Sequence, residues 1–299
     1  MGGFGGSTGG GGTLGGMGPA GGTAATGGLG TGGEATGGAS LGGAGTGGAS
    51  AGGSATGGIN TGGSATGGSA TGGQSSGSCD FSSLTSYEGN GSVTFYDPSG
   101  QVNCSFPMSG SSVVNVSTGN GEYIVAMGPT DYGNSATCGA CVEVTRDDGQ
   151  SVTVTVADQC PECQAGHIDL SRAAFLQIGT ESEGYLGTTN GGAVGIISWR
   201  YVPCPVQGNV IITLKEPSNQ GWNEFMVQNS RLPIVSFEAN WSGSWVTGTR
   251  QTYNYFNVGG SLSFPLQVRL TDINGNVIEG TLQANQADQD LGVQFPSCN

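Results

Sequence analysis

Eight cysteines constrain this chain more than any other feature: Cys79, Cys104, Cys138, Cys141, Cys160, Cys163, Cys204 and Cys298. An even count among abundant Thr, Asn, Ser and Gly, with little Lys, points to disulfides and an oxidising compartment. One competing chemistry stays open, because Cys138-x-x-Cys141 followed by Cys160-x-x-Cys163 has zinc-ribbon spacing. Zinc ranks second. A ribbon holds its two knuckles in a small metal-dependent unit, whereas these pairs sit in long alternating segments that can fold around a core of their own. Which cysteines pair is not fixed by their spacing.

More than half of the 62 glycines precede Cys79, so the folded mass is expected to begin there. From Thr31 to about Gly73 the chain repeats a unit of the type Thr-Gly-Gly-Ser-Ala, without Lys, Arg or Pro. Burial in such a segment cannot offset its conformational entropy, and a flexible, disordered tether over residues 1–78 is expected. Aromatic residues that would make it self-associate are missing from the repeat. The residues after Met1 lack the charged start and apolar stretch of a signal peptide, so an export signal is expected outside this sequence. No run is long and apolar enough for a transmembrane helix.

Asp and Glu number 21 against 7 Lys and Arg, for a net charge of -14. The few cations are scattered. Nucleic acid is therefore excluded as a partner, since no basic stripe exists to release counterions. Acidic polysaccharide and acidic membrane surfaces are repelled by the same field. A neutral ligand fits best.

Between Gly91 and Val202 the pattern is period-two. Strands are expected over Ser92–Tyr96, Tyr123–Met127, Cys141–Arg146, Ser151–Ala157 and Val194–Val202, with a hairpin at Asp148-Gly149. One helix is expected from Ser171 as N-cap through Phe175 and Ile178 to a stop at Gly179. These elements predict a small barrel over 79–204. After Cys204-Pro205, strands are expected over Asn209–Lys215, Phe225–Gln228, Ile234–Glu238, Trp245–Thr249 and Leu266–Thr271, with a turn at Asn274-Gly275. They predict an immunoglobulin-like sandwich over 205–299. With almost no linker between them, the two are expected to pack as one body.

The chemistry concentrates in Val156-Ala157-Asp158-Gln159-Cys160-Pro161-Glu162-Cys163 and the following His167-Ile168-Asp169-Leu170-Ser171. Three carboxylates fall at the end of one strand and in the loop after it. Converging carboxylates suit saccharides: they accept hydroxyl hydrogen bonds, and one kept protonated can donate to a glycosidic oxygen. Taken alone, Asp169 reads better as an acid placed before a helix N-terminus, favourable to its dipole. His167, the single histidine, reads as a loop residue and not a metal ligand, placed where it could tune Asp169.

Cys138-Gly139-Ala140-Cys141, the Asp158–Cys163 segment and Asp169-Leu170-Ser171 occur in the order seen in expansins, and Thr94-Phe95-Tyr96 resembles their Thr-Phe-Tyr motif. Cys204-Pro205-Val206, Asn209-Val210 and Gln228-Asn229 resemble the carbohydrate-binding module of that family. The similarity runs from Gly89 to Phe295, with microbial expansins the nearest pattern. It implies an all-β protein, a six-stranded double-psi β-barrel followed by an immunoglobulin-like cellulose-binding module. It further implies a secreted, extracellular monomer without cofactor or metal, acting on cellulose or another neutral plant cell-wall polysaccharide.

By the same resemblance Asp169 matches the acid that loosening requires, with Asp158 and Thr94 beside it and Glu162 as a further carboxylate. Cys160 replaces an aromatic groove residue of some bacterial members, a contact that Tyr96 is placed to assume. Trp222 and Tyr253 match two of three in-line cellulose-binding aromatics, while Gly221 stands where many relatives have Trp; Tyr255 and Trp241 are substitute rings. Lys215 is placed to contact a hydroxyl, and Trp245 and Phe237 are assigned to the core. Each stacked ring removes roughly 50 Å² of apolar surface, about 1 kcal/mol. Inverting hydrolysis needs a second carboxylate, and Asp97 lies near where the related family-45 endoglucanases carry theirs. Asp97-Pro98-Ser99-Gly100 also reads as an ordinary turn, the preferred reading. Non-hydrolytic loosening is thus expected, against weak endoglucanase activity or wall binding without loosening.

Overall fold

The structure, a computed structural model, describes residues 78–189, 192–215 and 223–298. The segment expected to be a tether therefore lies outside the described residues, Ser78 excepted. In chain order the first part contains β1 (Tyr87–Tyr96), β2 (Met108–Ser109), β3 (Ser112–Val113), β4 (Ile124–Met127), the helical turn α1 (Pro129–Tyr132), β5 (Cys141–Arg146), β6 (Ser151–Gln159), β7 (His167–Ser171), the helical turn α2 (Arg172–Phe175), β8 (Leu186–Thr189), β9 (Gly192–Val194) and β10 (Ile197–Val202).

Strands β10, β5, β6, β4, β7 and β1 hydrogen-bond in that order, and a β1–β10 pairing closes them into a six-stranded barrel. Closure leaves none of the six with an open edge. The pairs β1–β7 and β4–β6 are parallel, while β4–β7 and β5–β6 are antiparallel. Alternation directs Val93, Ile124, Val142, Val144, Val154, Val156, Ile168 and Leu170 inward, where they are buried with Phe175 and Trp199. The expected Asp148-Gly149 turn joins β5 to β6, with Gly149 at φ +90°.

The second part contains β11 (Ile211–Leu214), β12 (Glu224–Gln228), β13 (Ile234–Trp241), β14 (Ser244–Thr247), β15 (Thr249–Arg250), β16 (Phe256–Asn257), β17 (Leu266–Asp272), β18 (Val277–Leu282) and β19 (Asp288–Asp290). They form a five-stranded sheet, β15-β16-β12-β11-β19, and a four-stranded sheet, β14-β13-β17-β18. Phe225, Phe237, Phe256, Val268, Leu270 and Phe295 fill a shared core, with Phe225 and Phe237 stacked 5.0 Å apart. The Asn274-Gly275 turn joins β17 to β18, and Asp272 Oδ1 accepts the amides of Asn274 and Asn276.

Several expectations are corrected. The helix ends at Phe175, after which the backbone bonds tighten to Gln177 N–Ala174 O and Ile178 N–Phe175 O, and the Ser171 hydroxyl does not cap it but donates to the Glu122 carbonyl at 2.5 Å. The segment 194–202 is split, β9 ending at Val194 and β10 starting at Ile197. Trp245 is half-buried under the Arg269 guanidinium, 4.4 Å from the ring, and is no core residue. Phe237 is fully buried as expected.

The zinc reading is overturned by the sulfur pairing. Cys79–Cys298, Cys104–Cys138, Cys141–Cys204 and Cys160–Cys163 are disulfides, leaving no free cysteine. Cys138 and Cys141, neighbours in the supposed knuckle, thus go to different partners. Among the described residues no helix is long and apolar enough to cross a membrane.

Candidate functional site

The site grows out of the parallel pair β1–β7, whose register sets Thr94 opposite Asp169 and Ser92 opposite His167. Since Ile168 and Leu170 point into the core, the residues between and before them, His167 and Asp169, face outward. Asp169 and His167 are therefore strand residues, not loop residues. Gly166, just before this strand, has φ +82°, and a Cβ there would lie 2.6 Å from the Tyr87 ring. Its amide donates to Asp131 Oδ2 at 2.9 Å, and its carbonyl accepts Trp199 Nε1 at 3.0 Å.

On the other flank, β4 separates β7 from β6. Ala126 is opposite Asp169 on one side and Asp158 on the other. A bulge shifts the β4–β6 register between Val125 and Ala126, so that Val156 and Asp158 oppose consecutive β4 residues. The extra residue, Ala157, is buried and Asp158 is turned outward. Asp158 and Asp169 consequently flank a floor of one small side chain.

Thr94 Oγ1 donates to Asp169 Oδ1 at 2.7 Å and lies 3.0 Å from His167 Nε2. Burial raises the Asp169 carboxyl above the ordinary aspartate value, with the nearby Glu162 and Asp158 charges adding to it; the Thr94 hydrogen bond and His167 oppose the rise. Burial lowers His167 from its ordinary value, against the pull of Asp169 and Glu162. Asp158 Oδ1 accepts the amides of Asn103 at 2.8 Å and Gln159 at 2.9 Å, and Tyr96 hydroxyl reaches Oδ2 at 3.4 Å. Tyr96 packs against the Cys160–Cys163 disulfide and Ala126; burial and then the Asp158 and Asp169 charges push its hydroxyl well above the usual tyrosine range.

Asp97 is not in this group. Both of its oxygens bind Arg172, 2.7 Å to Nε and 2.7 Å to the terminal nitrogen, and Arg172 also pairs with Glu181. The guanidinium holds the Asp97 carboxyl below the ordinary aspartate value. The segment 97–100 bends without closing a turn, so the ion pair replaces the expected turn role.

From Asp158 a cavity of about 350 Å³ runs past Gln101, Asn103, Gln159 and Pro161 to Tyr253, a residue between β15 and β16 that packs against the barrel core. Tyr253 hydroxyl donates to Glu224 at 2.8 Å, Lys215 Nζ binds the same carboxylate at 2.7 Å, and that ammonium sits 4.3 Å from the Tyr253 ring centre. Lys215 is thus engaged by a fully buried acid. Tyr255 is only 7% exposed and Trp241 is half-buried against Gly260, so Tyr255 is no substitute platform. Trp222 and Gly221 lie outside the described residues.

Sequence reasoning missed Glu224 and Asp131. Glu224 could have been found as an acid within the apolar run Glu224-Phe225-Met226-Val227, opposite Lys215 in a hairpin. Asp131 had no signal, since its partners Tyr87 and Gly166 are distant in sequence.

Residues 90–190 match a protein family described as lytic transglycolase. The chain is 34% identical over 215 residues to Expansin-like protein 5 of Dictyostelium discoideum, covering 69% of this chain and 84% of that protein. The chain belongs to the expansin family. Expansin-YoaJ of Bacillus subtilis is 34% identical over 163 residues, which cover 53% of the chain and 66% of that expansin. A variant Clavibacter michiganensis expansin, crystallised in complex with cellohexaose, superimposes with a TM-score of 0.59 at 27% identity, covering 71% of this chain and 100% of that one. The barrel and the sandwich of this expansin are therefore the expected architecture.

Proposed function

We propose that this expansin binds cellulose or a related neutral glucan along the barrel groove and loosens it without cutting it, as a secreted protein. In this reading 79–204 is the loosening barrel and 205–299 the carbohydrate-binding module. Asp169 and Asp158 accept or donate hydrogen bonds to the hydroxyls of one chain, Thr94 and Tyr96 orient them, and Glu162 keeps the cleft acidic. Tyr253 stacks on a pyranose beyond the cavity through the ring face opposite the Lys215 ammonium, with Trp222 as a further ring. Strain from gripping one chain separates it from its neighbours.

The observation that carries this reading is the arrangement of the carboxylates. Asp169 is half-buried with an elevated proton affinity, whereas Asp97, the candidate base for inversion, is clamped by both oxygens to Arg172. Asp158 has one oxygen filled by two backbone amides. The relative solved with cellohexaose supports a β-glucan as ligand.

A second reading rests on the match of 90–190 to the lytic transglycolase family. One buried acid is enough to protonate a leaving oxygen, and bond cleavage would then release soluble product. A paper-weakening assay with reducing ends and soluble products counted in parallel separates the two. Weakening without product, abolished in Asp169→Asn, supports loosening; product release in step with weakening refutes it. Binding without either effect leaves a wall-binding protein.

A further inference from the structure

We propose that His167 and Asp169 share one proton through the Thr94 hydroxyl, which makes His167 a positioning residue for the acid in the groove. The inference rests on the reading of that groove as a glucan site. Thr94 Oγ1 lies between the two groups, 2.7 Å from Asp169 Oδ1 and 3.0 Å from His167 Nε2, and it carries a single hydrogen.

The same heavy atoms serve two proton arrangements. In the first, an imidazolium donates Nε2–H to Thr94, and Thr94 donates to the Asp169 carboxylate. In the second, the carboxylic acid of Asp169 donates to Thr94, and Thr94 donates to the Nε2 lone pair of a neutral imidazole protonated at Nδ1. Passing from first to second breaks the Nε2–H and Thr94 O–H bonds and forms a new Thr94 O–H and an Asp169 O–H. No other reactant is needed. The pair keeps zero net charge throughout.

Surroundings favour the second arrangement. Burial opposes the charged form of both partners, bringing their proton affinities toward each other. The groups facing the pair are Thr94 and Tyr96 from β1, Asp158 from β6, Glu162 from the loop before β7, and Tyr185, whose ring meets His167 edge-on at 6.1 Å. Asp158 and Glu162 both help Asp169 retain its proton, while Glu162 also raises His167 and so favours neither arrangement alone. A neutral chain laid in the groove excludes water and strengthens the same bias, leaving Asp169 as a hydrogen-bond donor. His167 thereby decides whether the groove offers an acid or a carboxylate.

His167 is the only histidine, so imidazole ¹⁵N signals of the full chain need no assignment. They are followed from about pH 3 to about pH 8, spanning the ordinary aspartate and histidine values, together with the Asp169 carboxyl ¹³C signal. Coupling predicts that the wild-type signals titrate together. It also predicts that Asp169→Asn lowers the His167 midpoint by about one unit, a tenfold loss of proton affinity, and that Thr94→Val gives a smaller fall. His167→Gln keeps a polar group beside Thr94 but does not titrate, and it should shift the pH profile of cellulose binding. Independent wild-type midpoints, or a His167 midpoint unmoved in Asp169→Asn, overturn the relay. Coupled midpoints in a protein that does not bind cellulose would uphold the relay and sink the functional reading instead.

Discussion

Opening the Cys79–Cys298 disulfide is a perturbation whose cost the topology defines. The bridge spans 219 residues, of which Cys104–Cys138 and Cys141–Cys204 already bypass 34 and 63, so that 219 less 34 less 63 leaves an effective loop of 122. Loop-closure entropy for a ring of about 120 residues restricts the unfolded chain by about 5 kcal/mol, and native disulfides realise about 2–5 kcal/mol of such values. The bridge also encloses both cores, so its loss leaves them joined by the chain at Cys204 and by their contact alone. The assay is urea unfolding of Cys79→Ser/Cys298→Ser, followed by tryptophan fluorescence without reductant. With a slope of about 2 kcal/mol per molar urea, the midpoint should fall by about 1–2.5 M, and the single transition should broaden or split. A midpoint displaced by less than about 0.3 M at unchanged slope would refute the reasoning, since the bridge would then constrain nothing.

Asp97→Asn should leave both paper weakening and reducing-end counts unchanged, because its partner Arg172 lies outside the groove; a loss of activity in a folded variant would restore Asp97 as a catalytic group. Tyr253→Phe keeps the ring and loses the 2.8 Å hydrogen bond to buried Glu224, so a stability loss of about 1.5–3 kcal/mol is expected with cellulose affinity nearly retained. Tyr253→Ala should weaken binding about fivefold, measured by depletion onto cellulose, as one stack is worth about 1 kcal/mol. Arg146 and the Thr180 amide and hydroxyl lower the Glu183 carboxyl from 4.5 to about 2. Its contribution is therefore present above the unfolded value and fades as pH falls from 4.5 toward about 2, so Glu183→Gln should flatten acid unfolding across that window.

Much of the barrel was legible because its strands obey one rule. Cys141–Arg146 alternates cleanly and is bounded by a turn, and β5 occupies those residues. His167–Ser171 alternates too, but four residues ahead of a serine read better as a helix entry. Only the pairing with β1 and β4 on both sides shows that Ser171 closes a strand and spends its hydroxyl on Glu122. Disulfide pairing was illegible for a similar reason: Cys138 sits in a turn that faces Cys104, while Cys141 starts β5 and faces Cys204. Local spacing carries no record of which side of a barrel a residue meets. Thr94, Asp158 and Asp169 were recognised as a set by motif, but the bulge at Ala157 that turns Asp158 outward leaves no mark in Val156-Ala157-Asp158.

The junction between the cores supplies what neither supplies alone. The segment 250–255 lies on the barrel: Ser105 Oγ donates to the Tyr253 carbonyl at 2.8 Å, Ser135 Oγ to Gln251 at 2.7 Å, Tyr132 hydroxyl to Thr252 at 3.0 Å, and Asn254 Nδ2 to Cys104 at 3.2 Å. Arg250 binds the Ser135 carbonyl at 3.0 Å and the carbonyl of Ile234 from a buried position over Phe256, where desolvation lowers its proton affinity to about 10. It keeps its charge at neutral pH and still satisfies acceptors of both cores. These contacts fix the Tyr253 backbone from the barrel side, and Glu224 fixes its hydroxyl from the sandwich side. A ring tethered at both ends loses little rotational freedom when a sugar stacks on it, so more of the small stacking energy survives as affinity. In the proposed binding mode, the same anchoring sets its distance from Asp158 across the cavity, and therefore which sugar units along one chain would reach the ring and the acid together.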